Sequence, residues 1–249
     1  DHAHVRHPVP QRLRVKGGEA VGEILAKAEK EYRYEQPHLV LPLLLDAYAK
    51  MDQVEDGYWK RVKTAELKEV ILATMGLYAE ATAEDYSATP GEDIELTMEI
   101  INRSPAAVKL ISVDYLPLGA DSTLQLSLDD NQQYEFYKTL TLPEDMPYTN
   151  PYWLNEEGQL GMYKVENQLL RGLPETPRLL QVRFNIEVEG QPLQFMREVV
   201  YKNTDPVKGE TYRPFEVTPP VFANITESVY VYGDTKPQDV EVRVRAGRD

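Results

Sequence analysis

The amino-acid sequence predicts a mainly β protein with an N-terminal α segment (α+β). Apolar residues recur at helical spacing from Glu19 to about Ala81. After the turn residues Thr89-Pro90-Gly91 they recur at every second position instead, beginning with Ile94, Leu96, Met98 and Ile100. No helical period intervenes between the later strands, which excludes an alternating α/β layout. The expected architecture is therefore a three-helix unit followed by an immunoglobulin-like antiparallel β-sandwich.

Residues 1–17 read as an irregular arm containing Pro8 and Pro10. The helical segment spans 18–82. Its first helix carries Val21, Ile24, Leu25, Ala28 and Tyr32 on one face, with Glu23, Lys27 and Lys30 at polar positions, and Gln36-Pro37 breaks it. A second begins near Leu39 or Pro42 and runs through Leu44, Leu45 and Tyr48 to about Met51. Pro42 belongs in its first turn, where a missing N–H costs least. After Asp56-Gly57 the third helix is expected over 59–81, with Trp59, Val62, Leu67, Val70, Ile71, Met75 and Tyr78 as its apolar stripe. Short connections make neighbouring helices antiparallel. That stripe also needs the β-domain as a packing partner.

The sandwich is expected over 88–218. Asn102-Arg103-Ser104-Pro105 closes its first strand, and further strands fall at 108–115, 123–128, 134–142, 180–188, 193–201 and 215–217. Glu189-Gly190 forms a hairpin turn. Between 143 and 177 lies an excursion with Pro143, Pro147, Pro151, Pro174 and Pro177 and no sustained period. Long structureless stretches inside a domain are uncommon, so this one is expected to be ordered and packed over an edge of the sandwich. Leu154, Leu160, Met162 and Leu169 are its expected anchors, with Trp153 largely buried. Residues 219–249 read as C-terminal strands, at 229–232 and 240–244, and as the start of a further β-domain.

Composition narrows the chemistry. Forty-one acidic against 27 basic residues give a net charge of −14, which repels phosphate backbones and anionic lipid, so neither nucleic acid nor a membrane surface is an expected partner. No apolar run approaches the roughly 20 residues that span a bilayer. There is no cysteine, and His38 is the single histidine beyond residue 7. The usual nucleophile–base pairs and soft metal ligands are thus scarce, and neither a metal nor another cofactor is expected.

Each remaining candidate has a plainer structural reading. Asp1, His2, His4 and His7 hold donor atoms for a metal, but on a proline-containing arm whose ordering carries the full entropy cost. His38 follows Pro37 and reads as a helix-start residue. Asp129-Asp130-Asn131 resembles the start of a calcium loop yet lacks the glycine and distal glutamate, and so reads as a polar turn. Glu144-Asp145 and Glu156-Glu157 offer acids, but adjacency in sequence does not set the separation that glycoside chemistry requires. The strongest candidate is aromatic: Tyr148, Asn150, Tyr152 and Trp153, in Tyr148-Thr149-Asn150-Pro151-Tyr152-Trp153-Leu154. Aromatic faces beside amide and hydroxyl groups hold sugar rings by stacking and hydrogen bonding. The competing reading is packing, with Trp153 plugging the sandwich.

Several strings together resemble a known family. Pro151-Tyr152-Trp153-Leu154, Gly172-Leu173-Pro174, Tyr201-Lys202-Asn203-Thr204-Asp205-Pro206-Val207-Lys208-Gly209-Glu210 and Pro219-Pro220-Val221, with Pro90-Gly91 and Ile101-Asn102-Arg103-Ser104, look like the non-catalytic middle region of long PIG-L (LmbE)-type deacetylases of Bacteroidetes-like bacteria. The resemblance covers residue 18 onward. It implies an upstream zinc-dependent N-acetyl-sugar deacetylase domain as partner, joined through a helical connector to immunoglobulin-like domains. Residues Val242-Arg243-Val244-Arg245-Ala246-Gly247 resemble the entry into a further such domain. The family's His-Pro-Asp-Asp signature is absent, because Val9-Pro10 follows His7-Pro8. No zinc ligand is carried over, and the chain itself is expected not to be an enzyme. Two readings remain: an accessory region that positions the deacetylase or contacts its glycan, or a stand-alone protein-interaction sandwich of a secreted bacterial protein. Either implies a periplasmic or extracellular location, although no signal peptide is visible.

Overall fold

The computed structural model describes residues 15–237 and 239–247, so the arm's His2, His4, His7, Pro8 and Pro10 lie outside the described residues. It is mainly β, with its helices gathered at the N-terminal side. The helices are α1 (Gly18–Glu31), α2 (Leu41–Lys50) and α3 (Gly57–Thr74), with single turns of 3-10 helix at Pro37–Val40 and Met51–Gln53. Gly17 admits the chain to α1 at φ 86°; a Cβ there would lie 2.0 Å from the Gln53 carbonyl oxygen, so both conformation and space demand glycine. Pro42 sits in the first turn of α2, as its chemistry requires. Asp56 caps α3, accepting hydrogen bonds from the Tyr58 and Trp59 amides at 3.0 Å.

The third helix stops at Thr74, not near Ala81. Gly76, at φ 59°, ends it: its amide donates to the Ala73 carbonyl and the Leu77 amide to the Leu72 carbonyl, both at 2.9 Å. These paired bonds, with Leu72 and Leu77 buried beside them, form a Schellman closure. Tyr78 therefore leaves the helical stripe and opens strand β1 (Tyr78–Ala83). Ala79, Ala81 and Ala83 face inward there, so the sandwich begins earlier than its alternation of large residues implies.

Two sheets share one long strand. In the first, β6 (Gln133–Thr141) pairs with β3 (Asp93–Ile101) and β3 with β1. Strand β1 then pairs in parallel with the distal part of β8 (Gln191–Asp205), which also carries β9 (Gly209–Pro214). In the second, β5 (Ala120–Leu128), β4 (Val108–Leu116), β7 (Gln181–Val188) and the proximal part of β8 lie in that order. Strand β8 crosses between sheets where Glu198 is its last partner to β7 and Val199 its first to β1. The result is a sandwich approaching a closed barrel.

Alternation buries Ile94, Leu96, Met98 and Ile100 from one sheet against Val182, Phe184 and Ile186 from the other. Phe184 and Phe195 stack with ring centroids 5.2 Å apart. Each such buried side chain contributes about 1.5–3 kcal/mol relative to exposure. The cluster continues without a break into Leu41, Leu44, Ile71 and Met75, so helices and sandwich share one core. The strand-closing Asn102 is fully buried. Its amide donates to the Ala106 and Leu128 carbonyls, and its oxygen accepts from the Ser104 amide and hydroxyl.

Two short additions complete the described residues: β2 (Ser87–Ala88) pairs with β10 (Glu216–Val217), and β11 (Val221–Ile225) with β12 (Val242–Ala246). Residues 229–232 are not a strand. Val229 and Val231 are exposed, and no strand pairs with them among the described residues.

Candidate functional site

The 143–177 excursion is held at its neck by hydrogen bonds rather than by the expected apolar anchors. Leu154, Leu160, Met162 and Leu169 are all exposed, Leu160 fully. Met146 is buried, and the Thr149 amide donates to the Val217 carbonyl at 2.8 Å while its hydroxyl accepts from the Val217 amide at 2.9 Å. The Thr176 hydroxyl then ties the two arms together: it accepts from the Tyr152 amide and donates to the Asn150 carbonyl, each at 2.9 Å. A polar neck suits a segment that stands off the sandwich, because it leaves its apolar residues to solvent.

Beyond the neck, a 3-10 turn at Tyr152–Leu154 presents Trp153, half-buried rather than plugging the sandwich. Tyr152 packs edge-on against it, ring centroids 4.9 Å apart at 86°, and its hydroxyl donates to the Leu173 carbonyl at 3.1 Å. Four residues later the chain reverses. Gln159 and Met162 exchange two backbone hydrogen bonds of 3.0 Å, with Gly161 at φ 80° inside the turn. A Cβ on Gly158 would lie 2.9 Å from the Met162 carbonyl oxygen, so the tight approach of the two arms requires glycine. This reversal borders an open cleft of about 480 Å³ lined by Trp153, Leu154, Glu156, Gln159, Met162 and Tyr163. Lys164 lies 2.7 Å from Glu156 and 3.0 Å from Glu166, and hydrogen bonds to those carboxylates hold its ammonium above its ordinary pKa.

Of the four residues singled out by sequence, Trp153 alone lines the cleft. Tyr152 buttresses it, Tyr148 is exposed elsewhere, and Asn150 contributes its main-chain carbonyl to the neck. Tyr163, Gln159 and Glu156 complete the cleft. Their signal in the sequence is the pair Gly158 and Gly161, which marks the reversal returning Tyr163 to Trp153.

The other candidates resolve as structure. The Asp129 carboxylate accepts from the Tyr134 hydroxyl at 3.1 Å in a turn where Asn131 takes φ 55°, and no group of three metal-ligating side chains assembles among the described residues. Glu144 and Asp145 are exposed, and His38 lies in the 3-10 turn before α2. An apolar groove of about 670 Å³ opens between α1 and α3, lined by Val21, Leu25, Met51, Val54, Trp59 and Val70.

The sequence matches no family model and no curated protein. Among solved structures, the chain is similar to the sporulation control protein Spo0M of Bacillus subtilis (14% identity, TM-score 0.28). It covers 49% of that chain with 49% of its own. Similar too are the alkylpurine DNA glycosylase AlkC of Pseudomonas fluorescens bound to DNA with an abasic-site analogue (14%, 77% of this chain against 56%, TM-score 0.21) and the structural-genomics target SoR45 (11%, 65% against 95%, TM-score 0.26). TM-scores this low do not define a shared fold. No helix of the described residues is long and apolar enough to cross a membrane.

Proposed function

We propose that this chain is a non-catalytic accessory region of a PIG-L (LmbE)-type N-acetyl-sugar deacetylase and contacts glycan through the cleft between Trp153 and Tyr163. The family assignment rests on the sequence strings that resemble such enzymes. The immunoglobulin-like character of the sandwich is supported by its connectivity: β1, β3 and β6 take the places of strands A, B and E, and β4, β7 and β8 those of C, F and G. The glycan role is carried by one observation, that Trp153, Tyr163, Glu156 and Gln159 line one open cleft together. Aromatic faces with a few convergent polar groups suit sugar rings, which offer apolar C–H faces and peripheral hydroxyls. The exposed Leu160 and Leu169 on the same excursion favour a second reading, contact with another protein surface, the deacetylase domain first.

The chain has two tryptophans, so Trp59→Phe leaves Trp153 as the reporter. Titration of that variant with chitooligosaccharides is expected to give a saturable fluorescence change, weakened by Tyr163→Ala. A flat titration, with binding instead to the isolated deacetylase domain that Leu160→Ser abolishes, replaces the glycan role with the protein-contact role.

A further inference from the structure

Resting on the glycan reading above, we infer that the Trp153–Tyr163 cleft selects a sugar carrying a protonated amine over its N-acetylated counterpart. Three features of the cleft favour a cation. The π faces of Trp153 and Tyr163 carry negative potential and attract an ammonium placed over them. Glu156 puts a carboxylate on the same wall, 30% exposed and therefore reachable. Beside it Glu156 and Glu166 share the one ammonium of Lys164, a net negative pair, while the Arg171 guanidinium is held at the Val165 carbonyl, 2.8 Å away.

Lys164 itself marks the position. Its Nζ sits 2.7 Å from Glu156 Oε2, so an ammonium is already seated at the cleft wall, on a side chain that is 60% exposed and retains Glu166 as a second partner. An incoming ammonium can replace Lys164 at Glu156 without changing the charge there, because Lys164 keeps Glu166, or it can join Lys164 at the same carboxylate. A carboxylate offers about four lone-pair positions, enough for both donors at once. An N-acetyl group lacks the positive charge, so it gains neither the charge-assisted bond nor the cation–π attraction, while its ring stacks equally well.

The test uses the whole chain in the Trp59→Phe background, titrated at pH 6 and physiological salt with glucosamine tetramer and with N-acetylglucosamine tetramer. The expected result is about tenfold tighter binding of the amino tetramer, the factor that about 1.4 kcal/mol supplies. Glu156→Gln is expected to remove that preference, so that this variant binds the two tetramers with equal affinity. Trp153→Ala, which alters no charge, read by calorimetry, is expected to abolish binding of both; retention of the amino tetramer would mean that the acidic surface alone attracts it, and would overturn the inference. Equal affinities, or a preference that survives Glu156→Gln, overturn it too while leaving the glycan reading in place. No binding of either tetramer overturns both. A lysine-rich peptide that competes as tightly as the amino tetramer assigns the cleft to peptide amines instead. Unchanged thermal unfolding of each variant confirms that the fold is intact.

Discussion

Glu80 on β1 and Lys202 on β8 meet at 3.0 Å on the outer face of the sandwich, and this pair is the counterweight to a row of like charges. Strand register places Glu80 opposite Glu99 and Glu99 opposite Glu135, so three carboxylates lie side by side across β1, β3 and β6. Directly opposed like charges destabilise a sheet. Lys202 answers them from β8, where it also reaches Glu210 at 3.5 Å and lies 5.7 Å from the Tyr212 ring centroid. Hydrogen bonding to Glu80 holds the Lys202 ammonium well above its ordinary range, and burial beside Glu80 pushes the Tyr78 hydroxyl up to about 12.

Replacing Lys202 by Met is therefore expected to destabilise the protein by about 1–2 kcal/mol, less than for a fully buried pair because both partners retain some exposure. The midpoint of urea unfolding reports the change. Glu80→Gln in the same background should recover part of the loss, since it removes the carboxylate left without its cation.

Glu99 sets a pH dependence of opposite sense to the usual carboxylate. Burial raises its pKa; Lys202 and Arg103 oppose the rise, and Glu80 and Glu135 add to it. Tyr78 and Tyr212 stay neutral well above this range. The folded state thus holds the proton more tightly than the unfolded chain. The contribution is fully present below the ordinary value of 4.5 and is lost as pH rises through the raised folded value. Wild-type stability minus that of Glu99→Gln is expected to grow on acidification from neutrality toward that window, measured as paired melting temperatures against pH. A difference that is constant across the titration would refute it.

Gly76→Ala is expected to cost about 1–2 kcal/mol, because the left-handed conformation penalises a Cβ. The same Cβ would sit 3.1 Å from the Arg103 Cβ, leaving little room to relax. Gly22→Ala, in α1 with nothing within 4 Å of the new carbon, should by contrast be neutral or stabilising. Chemical denaturation of the two variants separates a required glycine from a tolerated one.

Thr176→Val should loosen the excursion without unfolding the sandwich. It removes the hydroxyl that joins the Tyr152 amide to the Asn150 carbonyl, and the excursion's exposed leucines supply no replacement packing. Limited proteolysis is expected to cut faster between 154 and 175, while the global unfolding midpoint shifts by less than about 1 kcal/mol.

The regular parts of this fold were legible because local pattern and burial agree there. Ile94 to Ile100 alternate, Glu189-Gly190 turns with both residues at positive φ, and Pro42 falls in a first helical turn. Sequence by itself determined those elements, the acidic charge and the scarcity of catalytic side chains. Tertiary structure decided the rest. The alanines of β1 suit a helix as well as a strand, and become a strand because Gly76 ends α3 and β3 and β8 wait on either side. Strand β8 belongs to two sheets, which no local period encodes. Trp153 and Tyr163 share a cleft because Gly158 and Gly161 let the chain reverse between them; the glycines mark a reversal in the sequence, and only the folded backbone shows which side chains it brings together.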